Sequence, residues 1–342
     1  MSEITLNFRK EFAEAVKGER SSLSNFVTKF PWDISKLDLH AVVADTLPES
    51  WQTLIIGGSY IKTEGAKFQL PTLDTLETLL QTIKEQLLPS TKNLLLSFAY
   101  PIQTVENQLD GVLLRSTKGH AMQGLVGQQV GKKIAEGIPV LEKVLVVNDV
   151  VANLAALGIK AFAENSDNYS AINVIAGTGF NIGLAKGNGE FINLEAGNFN
   201  NFTPKPEISY IDATSSNTGH QLFEKQVSGK YLSERYNKLA VVSLAREEFE
   251  AELEDSEKDK NALLNSLLIE SGRDIGQAVA GVLQELLNTR YILIDGSMFE
   301  NKFFYEAFAA EVADYNARIV SIPHCNWQGA FALTKICAAV LR

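Results

Sequence analysis

Cysteine is scarce in this sequence: the 342 residues hold two, Cys325 and Cys337, whose spacing fits neither a CxxC pair nor a zinc ribbon. Without a disulfide framework, a reducing compartment is expected, and the cytoplasm is the default. Histidine is almost as rare, with four scattered residues, so no dedicated metal site is expected. No apolar run approaches the roughly 20 residues that cross a bilayer, and a membrane is not an expected partner. The N-terminal "MSEITLNFRKEFAEAV" carries acids early and places Ile4, Phe8, Phe12 and Val16 at helical spacing, which predicts an amphipathic helix and not a signal peptide. Positive charge is in deficit, 31 Lys and Arg against 41 Asp and Glu, for a formal charge of −10. That balance argues against a surface for a phosphate backbone, so nucleic acid is not an expected partner either. Tandem repeats and low-complexity tracts are absent.

What is there reads as globular protein, 45% hydrophobic and 21% charged. The length exceeds that at which one core keeps growing, so two lobes are expected. Strand patterns at "TLIIGG", "AKFQL", "NLLLSFAY", "KVLVVN", "YILI" and "RIVSI" alternate with helix patterns over 73–88, 121–137, 150–162, 270–287 and 328–342, and a hairpin is read over 170–194. This alternation predicts an α/β layered core. The acidic "REEFEAELEDSEKDK" reads as a solvated helix face or loop.

Three strands end on glycine turns. "AGTGFNIG" puts Gly177 and Gly179 between two apolar strands, where they can form an anion-binding nest or a plain hairpin turn. A dinucleotide fingerprint fits poorly, because the third glycine is missing at position 182 and a strand follows. "LIIGGSYIK" and "YILIDGS" are the other two turns, and together the three favour a nucleotide site between lobes. Asp149, at the mouth of "KVLVVND", either faces a cleft as a proton acceptor or caps the helix after it. Asn148, Asn193 and Glu195 could bond a polyol, or serve turns and surface; "RSTKGH" sets the Thr117 hydroxyl beside the Lys118 cation.

In order, "LIIGGSYIK", "FAYP", "STKGH", "VVNDVVANL", "AGTGFNIG", "NLEAG", "SSNTGHQLFEKQVSGKYL" and "LIDGS" resemble the hexokinase and glucokinase family of the actin-like ATPase superfamily. The segment from Asn217 to Leu232 carries the most specific likeness, and "SSLSNF" and "QGAFALTKICAAV" extend it over nearly the whole chain. A zinc-containing bacterial sugar-kinase family of the same superfamily fits worse, since its cysteine-rich motif is missing. The resemblance implies a two-lobed actin-like ATPase (ribonuclease H-like) fold with an interlobe cleft. The small lobe would comprise 53–148 plus 328–342, and the large lobe 1–52 plus 149–327. It further implies phosphoryl transfer from ATP with Mg2+ to a hydroxyl of a hexose, in a cleft that closes over the sugar.

Carried over position by position, Asp149 resembles the general base. Thr117, Lys118, Asn148, Asn193 and Glu195 resemble sugar contacts, with Lys118 also facing the transferred group. Gly57, Gly58 and Ser59 resemble the first phosphate loop, Gly177, Thr178 and Gly179 the second, and Asp295, Gly296 and Ser297 the adenosine segment. Three positions depart from the family. Ile55 stands where an aspartate helps hold hydrated magnesium, Ala99 where a serine touches sugar, and Ala213 where a glutamate binds it, with Asp212 adjacent as a stand-in. Those losses leave room for a catalytically silent sugar or nucleotide sensor, which intact Asp149 and Lys118 oppose.

Overall fold

The computed structural model describes residues 1–29, 47–105, 109–117, 119–163, 170–186, 190–215, 217–245, 248–249 and 261–341. In chain order the elements run α1 (Glu3–Lys17), β1 (Phe26–Lys29), β2 (Trp51–Ile56), β3 (Tyr60–Thr63), β4 (Ala66–Gln69), α2 (Leu76–Lys84), β5 (Asn93–Phe98), β6 (Ile102–Thr104) and β7 (Gly111–Leu113). Next come α3 (Val130–Gly137), β8 (Lys143–Asn148), α4 (Asp149–Ala163), β9 (Ser170–Ala176), β10 (Phe180–Ala185), β11 (Glu190–Asn193), α5 (Pro206–Thr214), α6 (Leu222–Val227) and α7 (Gly229–Ala240). The last are α8 (Ala262–Glu285), β12 (Thr289–Asp295), α9 (Lys302–Val312), β13 (Arg318–Ser321) and α10 (Cys325–Val340). The chain forms two compact units: Met1–Asn25, Ser170–Ile182 and Leu194–Ser321 make the first, and Phe26–Tyr169, Gly183–Asn193 and Ile322–Arg342 the second.

In the first unit β9, β12 and β13 run parallel. Helix α1 starts at Ser2, whose hydroxyl accepts from the Thr5 N–H at 3.1 Å, and stops at Gly18, φ 75°, a left-handed exit that glycine takes without a Cβ penalty. Ile4, Phe8 and Phe12 are buried as their spacing predicts, but Val16 is 36% exposed and Ala15 takes its place. Each four-residue step overshoots a helical turn by about 40°, so the fourth member has left the buried face. Phe8 meets Phe199 at 4.9 Å between ring centres, and Phe180, Phe202 and Phe223 complete an aromatic cluster of tilted and edge pairs with one stacked pair, Phe199–Phe202.

In the second unit β2, β5 and β8 run parallel and β3 and β4 continue antiparallel from β2. Every residue of β2 is buried, as in a parallel strand covered on both faces. Leu54, Ile56, Leu94, Leu96, Phe98 and Val146 form a core with Leu79 and Ile83 of α2 and Val130 and Ile134 of α3. The Thr53 hydroxyl bonds that of Thr334 on α10 at 2.7 Å. Helix α10 also lies on α4 so closely that a Cβ on Gly329 would stand 1.7 Å from the Ala152 carbonyl oxygen. Beside them β10 and β11 run antiparallel and β1 pairs with β11.

The α/β reading holds, with local corrections. The helix expected over 121–137 is confined to Val130–Gly137, because Met122, Gly124 and Gly127 take positive φ and turn the chain. The helix expected over 73–88 spans Leu76–Lys84. The hairpin expected over 170–194 is three strands, and β1 was not foreseen. Most of the acidic segment 246–260 falls outside the described residues.

Candidate active site

Four of the sequence-predicted segments meet in the second unit, at the C-terminal ends of its parallel strands. Strand β2 delivers Gly57, Gly58 and Ser59. Gly57 N–H donates to the Tyr60 carbonyl at 2.8 Å, and a Cβ on Gly57 would stand 2.9 Å from the Tyr60 ring, so a side chain there would push that ring aside. Strand β5 leads to Tyr100, whose hydroxyl donates to the Gly57 carbonyl at 3.3 Å. Burial pushes the Tyr100 phenol above its ordinary titration range, so that oxygen stays a donor. Strand β8 ends in Asn148 and Asp149. The Asn148 amide spans to the carbonyls of Phe98 and Tyr100 at 3.4 and 3.3 Å, while its oxygen accepts from the Val150 N–H at 3.0 Å. Asn148 is thus the side chain that caps α4 and ties it to β5. Asp149 opens the first turn of α4, and its Oδ1 shares the Val150 N–H at 2.9 Å.

Thr117 is half-buried and its carbonyl accepts from the His120 N–H at 3.2 Å. Lys118 lies outside the described residues. Asn193, at the end of β11, is buried and pairs in register with Gly183. A Cβ on Gly183 would stand 2.0 Å from Val150 Cγ1, which is how the start of α4 packs beside β10. Ile55 is 2% exposed in β2, and the buried Ala99 follows β5 with its N–H on the Ile56 carbonyl at 3.0 Å.

The first unit brings together the other two glycine turns. A Cβ on Gly177 would lie 3.7 Å from Gly296 Cα and 3.8 Å from the Ser297 nitrogen. Gly296 takes φ 103°, and a Cβ there would meet the Ala176 carbonyl oxygen at 2.3 Å. The carbonyls of Gly177 and Thr178 accept from the N–H groups of Gly229 and Lys230 at 2.8 and 3.2 Å, and Gly177 N–H donates to Gly179 at 3.0 Å. Asp295 ends β12 just before this contact. Glu195 sits at φ 47°, a conformation that costs a non-glycine residue about 1–3 kcal/mol and persists only when its surroundings impose it. Here Ala196 N–H donates to Asn181 at 3.1 Å, and Gly197 packs against Glu224, whose carboxylate accepts from Phe180 N–H at 3.1 Å.

Sequence reasoning gave no role to Glu224, Asn181, Tyr100 or His120, though each lies within or beside a quoted motif. Asp212, the stand-in for the missing glutamate, is held by its own unit. It accepts from the Lys225 ammonium at 2.6 Å and from Gly219 N–H at 2.9 and 3.0 Å. Lys225 is fully buried and also donates to the carbonyls of Asn217 and His220. Partial burial raises the Asp212 pKa, but the Lys225 and Gly219 hydrogen bonds outweigh it and hold the carboxyl below its ordinary value. Among the described residues no group of three or more His, Cys, Asp or Glu side chains could hold a metal ion, and no helix is long and apolar enough to cross a membrane.

A family model described as hexokinase matches residues 167–295. The chain is 30% identical to the chloroplastic hexokinase-2 of Nicotiana tabacum over 170 residues, which cover 44% of this chain and 33% of that one. It is 28% identical to the hexokinase of Schistosoma mansoni over 226 residues, covering 58% and 47%. The matched stretches thus amount to between a third and half of these relatives' length. In fold, the chain is similar to the structure of Schistosoma mansoni hexokinase complexed with glucose, TM-score 0.69 at 18% identity, over 98% of this chain and 96% of that. A ROK family glucokinase from Streptomyces griseus, in complex with glucose and AMPPNP, is similar at TM-score 0.57 and 16% identity, over 82% and 97%. Over residues 167–295 the chain is thus similar to hexokinases, and its likeness to these solved structures shows the actin-like ATPase fold.

Proposed function

We propose that this protein transfers a phosphoryl group from MgATP to a hydroxyl of a hexose, with Asp149 as general base. The observation that carries the reading is the convergence of the Gly57–Gly58 turn, the Thr117 segment and Asp149 at the ends of β2, β5 and β8, tied through Tyr100 and Asn148. MgATP, when bound, supplies the phosphoryl group and the cation that neutralises its charge. The main-chain N–H groups of Gly58, Ser59, Thr178 and Gly179 suit phosphate oxygens, since the glycines of these turns have no Cβ to block approach. The half-buried Asp149 takes the hydroxyl proton as the new bond forms. Thr117, Asn193 and Glu195 hold the remaining hydroxyls, Asn148 reaches sugar only with the lone pair that the Val150 N–H leaves on its oxygen, and Lys118 supplies a cation for the transferred group. Asp295, Gly296 and Ser297 carry the adenosine. With Ile55 buried in place of a carboxylate, magnesium is held mainly through nucleotide and water.

Release of ADP, coupled to a spectrophotometric readout across a panel of hexoses and hexosamines, tests the reading. Turnover with at least one sugar is expected. The buried Ile55 and the commitment of Asp212 to Lys225 favour a second reading, a sensor that binds sugar or nucleotide without chemistry. Sugar or AMPPNP binding with no ADP release from any sugar would select it.

A further inference from the structure

Three successive carbonyls in the turn after β2 are held by the protein. The Tyr100 hydroxyl donates to Gly57 at 3.3 Å, the His120 Nε2 stands 3.2 Å from the Gly58 oxygen, and Leu70 N–H donates to Ser59 at 3.0 Å. The tautomer of His120 follows from its other partner. Leu73 N–H, which can only donate, lies 2.9 Å from Nδ1, so Nδ1 carries the lone pair and Nε2 the proton that Gly58 accepts. The two rings meet edge to face with centroids 5.9 Å apart, so both tethers come from one side.

A trans peptide points its carbonyl and its N–H in opposite directions, and no cis bond occurs among the described residues. Turning the Gly57 oxygen toward Tyr100 therefore turns the Gly58 N–H away, and turning the Gly58 oxygen toward His120 turns the Ser59 N–H away. Neither N–H has an acceptor among the described residues, and Gly58 is half-buried while Ser59 is exposed. Oriented N–H groups of this kind make an anion-binding concavity. His120 also ends the segment that carries Thr117: its N–H donates to the Thr117 carbonyl, and the Ser116 hydroxyl bonds its carbonyl.

We propose that His120, assisted by Tyr100, is a positioning residue for nucleotide: its imidazole sets the Gly58–Ser59 peptide plane so that the Ser59 N–H faces phosphate oxygens, the Tyr100 hydroxyl does the same for the Gly58 N–H through the Gly57–Gly58 plane, and His120 couples that turn to the Thr117 segment. The proposal rests on the reading of the protein as an ATP-dependent sugar kinase.

Calorimetric titration of AMPPNP with magnesium into the full chain tests it. His120→Gln brings an amide donor near the Nε2 position, whereas His120→Asn brings an amide oxygen near Nδ1, and His120→Phe keeps only the ring contact. Losing one net hydrogen bond corresponds to a change of about 3- to 10-fold. Affinity is expected to fall by that factor in the Asn and Phe variants and to stay near wild type in the Gln variant. Tyr100→Phe, which deletes only the hydroxyl on Gly57, should weaken AMPPNP similarly. A histidine that merely supports the fold would give Asn and Gln variants equal affinity, following their melting temperatures, and that result overturns the proposal. Wild-type affinity in folded His120→Phe or Tyr100→Phe overturns it too, and Tyr100→Phe alone decides if the His120 variants do not fold. Unchanged affinities beside normal sugar phosphorylation sink only this proposal. A wild type that neither binds AMPPNP nor releases ADP with any hexose sinks the kinase reading and this proposal with it.

Discussion

The Asn326 side-chain amide donates to the main-chain carbonyl of Asp149 at 3.2 Å, so the first turn of α10 holds the first turn of α4. Asn148 grips the same turn through Val150 N–H, and the base candidate stands on a helix start fixed from two sides. Asp149→Ala should therefore leave that turn in place and remove chemistry selectively. Turnover is expected to fall by roughly 10²- to 10⁴-fold, with sugar affinity, read by calorimetry, retained. Wild-type turnover in the variant would reduce Asp149 to a helix-terminal carboxylate.

Restoring the family aspartate is the obvious repair for magnesium, and the fold argues against its success. Ile55 is 2% exposed, and its register partner Ser97 is fully buried with a hydroxyl that has no partner among the described residues. Ile55→Asp buries a carboxylate whose register partners are Ser97 and Lys62, and unless the Lys62 ammonium leaves the Trp327 ring, 5.7 Å away, to meet it, the burial costs several kcal/mol or leaves the group protonated. A lowered urea midpoint, and no gain in apparent magnesium affinity, is expected. A folded variant with tighter magnesium would show that water reaches this position.

The Asp212–Lys225 pair sets an acid limit on stability. Because the folded Asp212 pKa is depressed, its contribution is fully present above the unfolded value and is lost as pH falls through the folded one. Urea midpoints measured across that acid window should decline in the wild type, with part of the slope removed in Asp212→Asn. That variant should also be less stable at neutral pH, since it strands the fully buried Lys225 cation. Parallel pH slopes in the two proteins would exclude Asp212 as the source.

Gly296→Ala tests how the two glycine turns of the first unit are joined. At φ 103°, with the Ala176 carbonyl oxygen 2.3 Å from the new Cβ, the methyl group meets both backbone strain and a clash. A destabilisation of about 1–3 kcal/mol is expected, read as a lower melting temperature, together with weaker AMPPNP binding. Unchanged stability would mean that residues 176 and 296 separate at little cost.

The sequence by itself determined the α/β class, the strands that end on glycine and the ordered motifs, because strand burial, glycine turns and helix periodicity are local properties written in neighbouring residues. It placed Ile4, Phe8 and Phe12 inside but misjudged Val16, since a spacing rule ignores the drift of a real helix. Strand β1 and the short α3 were settled by pairing with β11 and by positive φ at Met122, Gly124 and Gly127, neither of which local pattern shows. Only the tertiary structure decided which polar groups are already engaged. Asp212 looked available for sugar until Lys225, thirteen residues on, was seen bonded to it. His120 read as the end of a lysine motif, and its two ring nitrogens acquired their meaning from Leu73 and Gly58. A hydrogen bond between residues distant in the chain has no signature in either neighbourhood, because its geometry exists only after the backbone has brought donor and acceptor together.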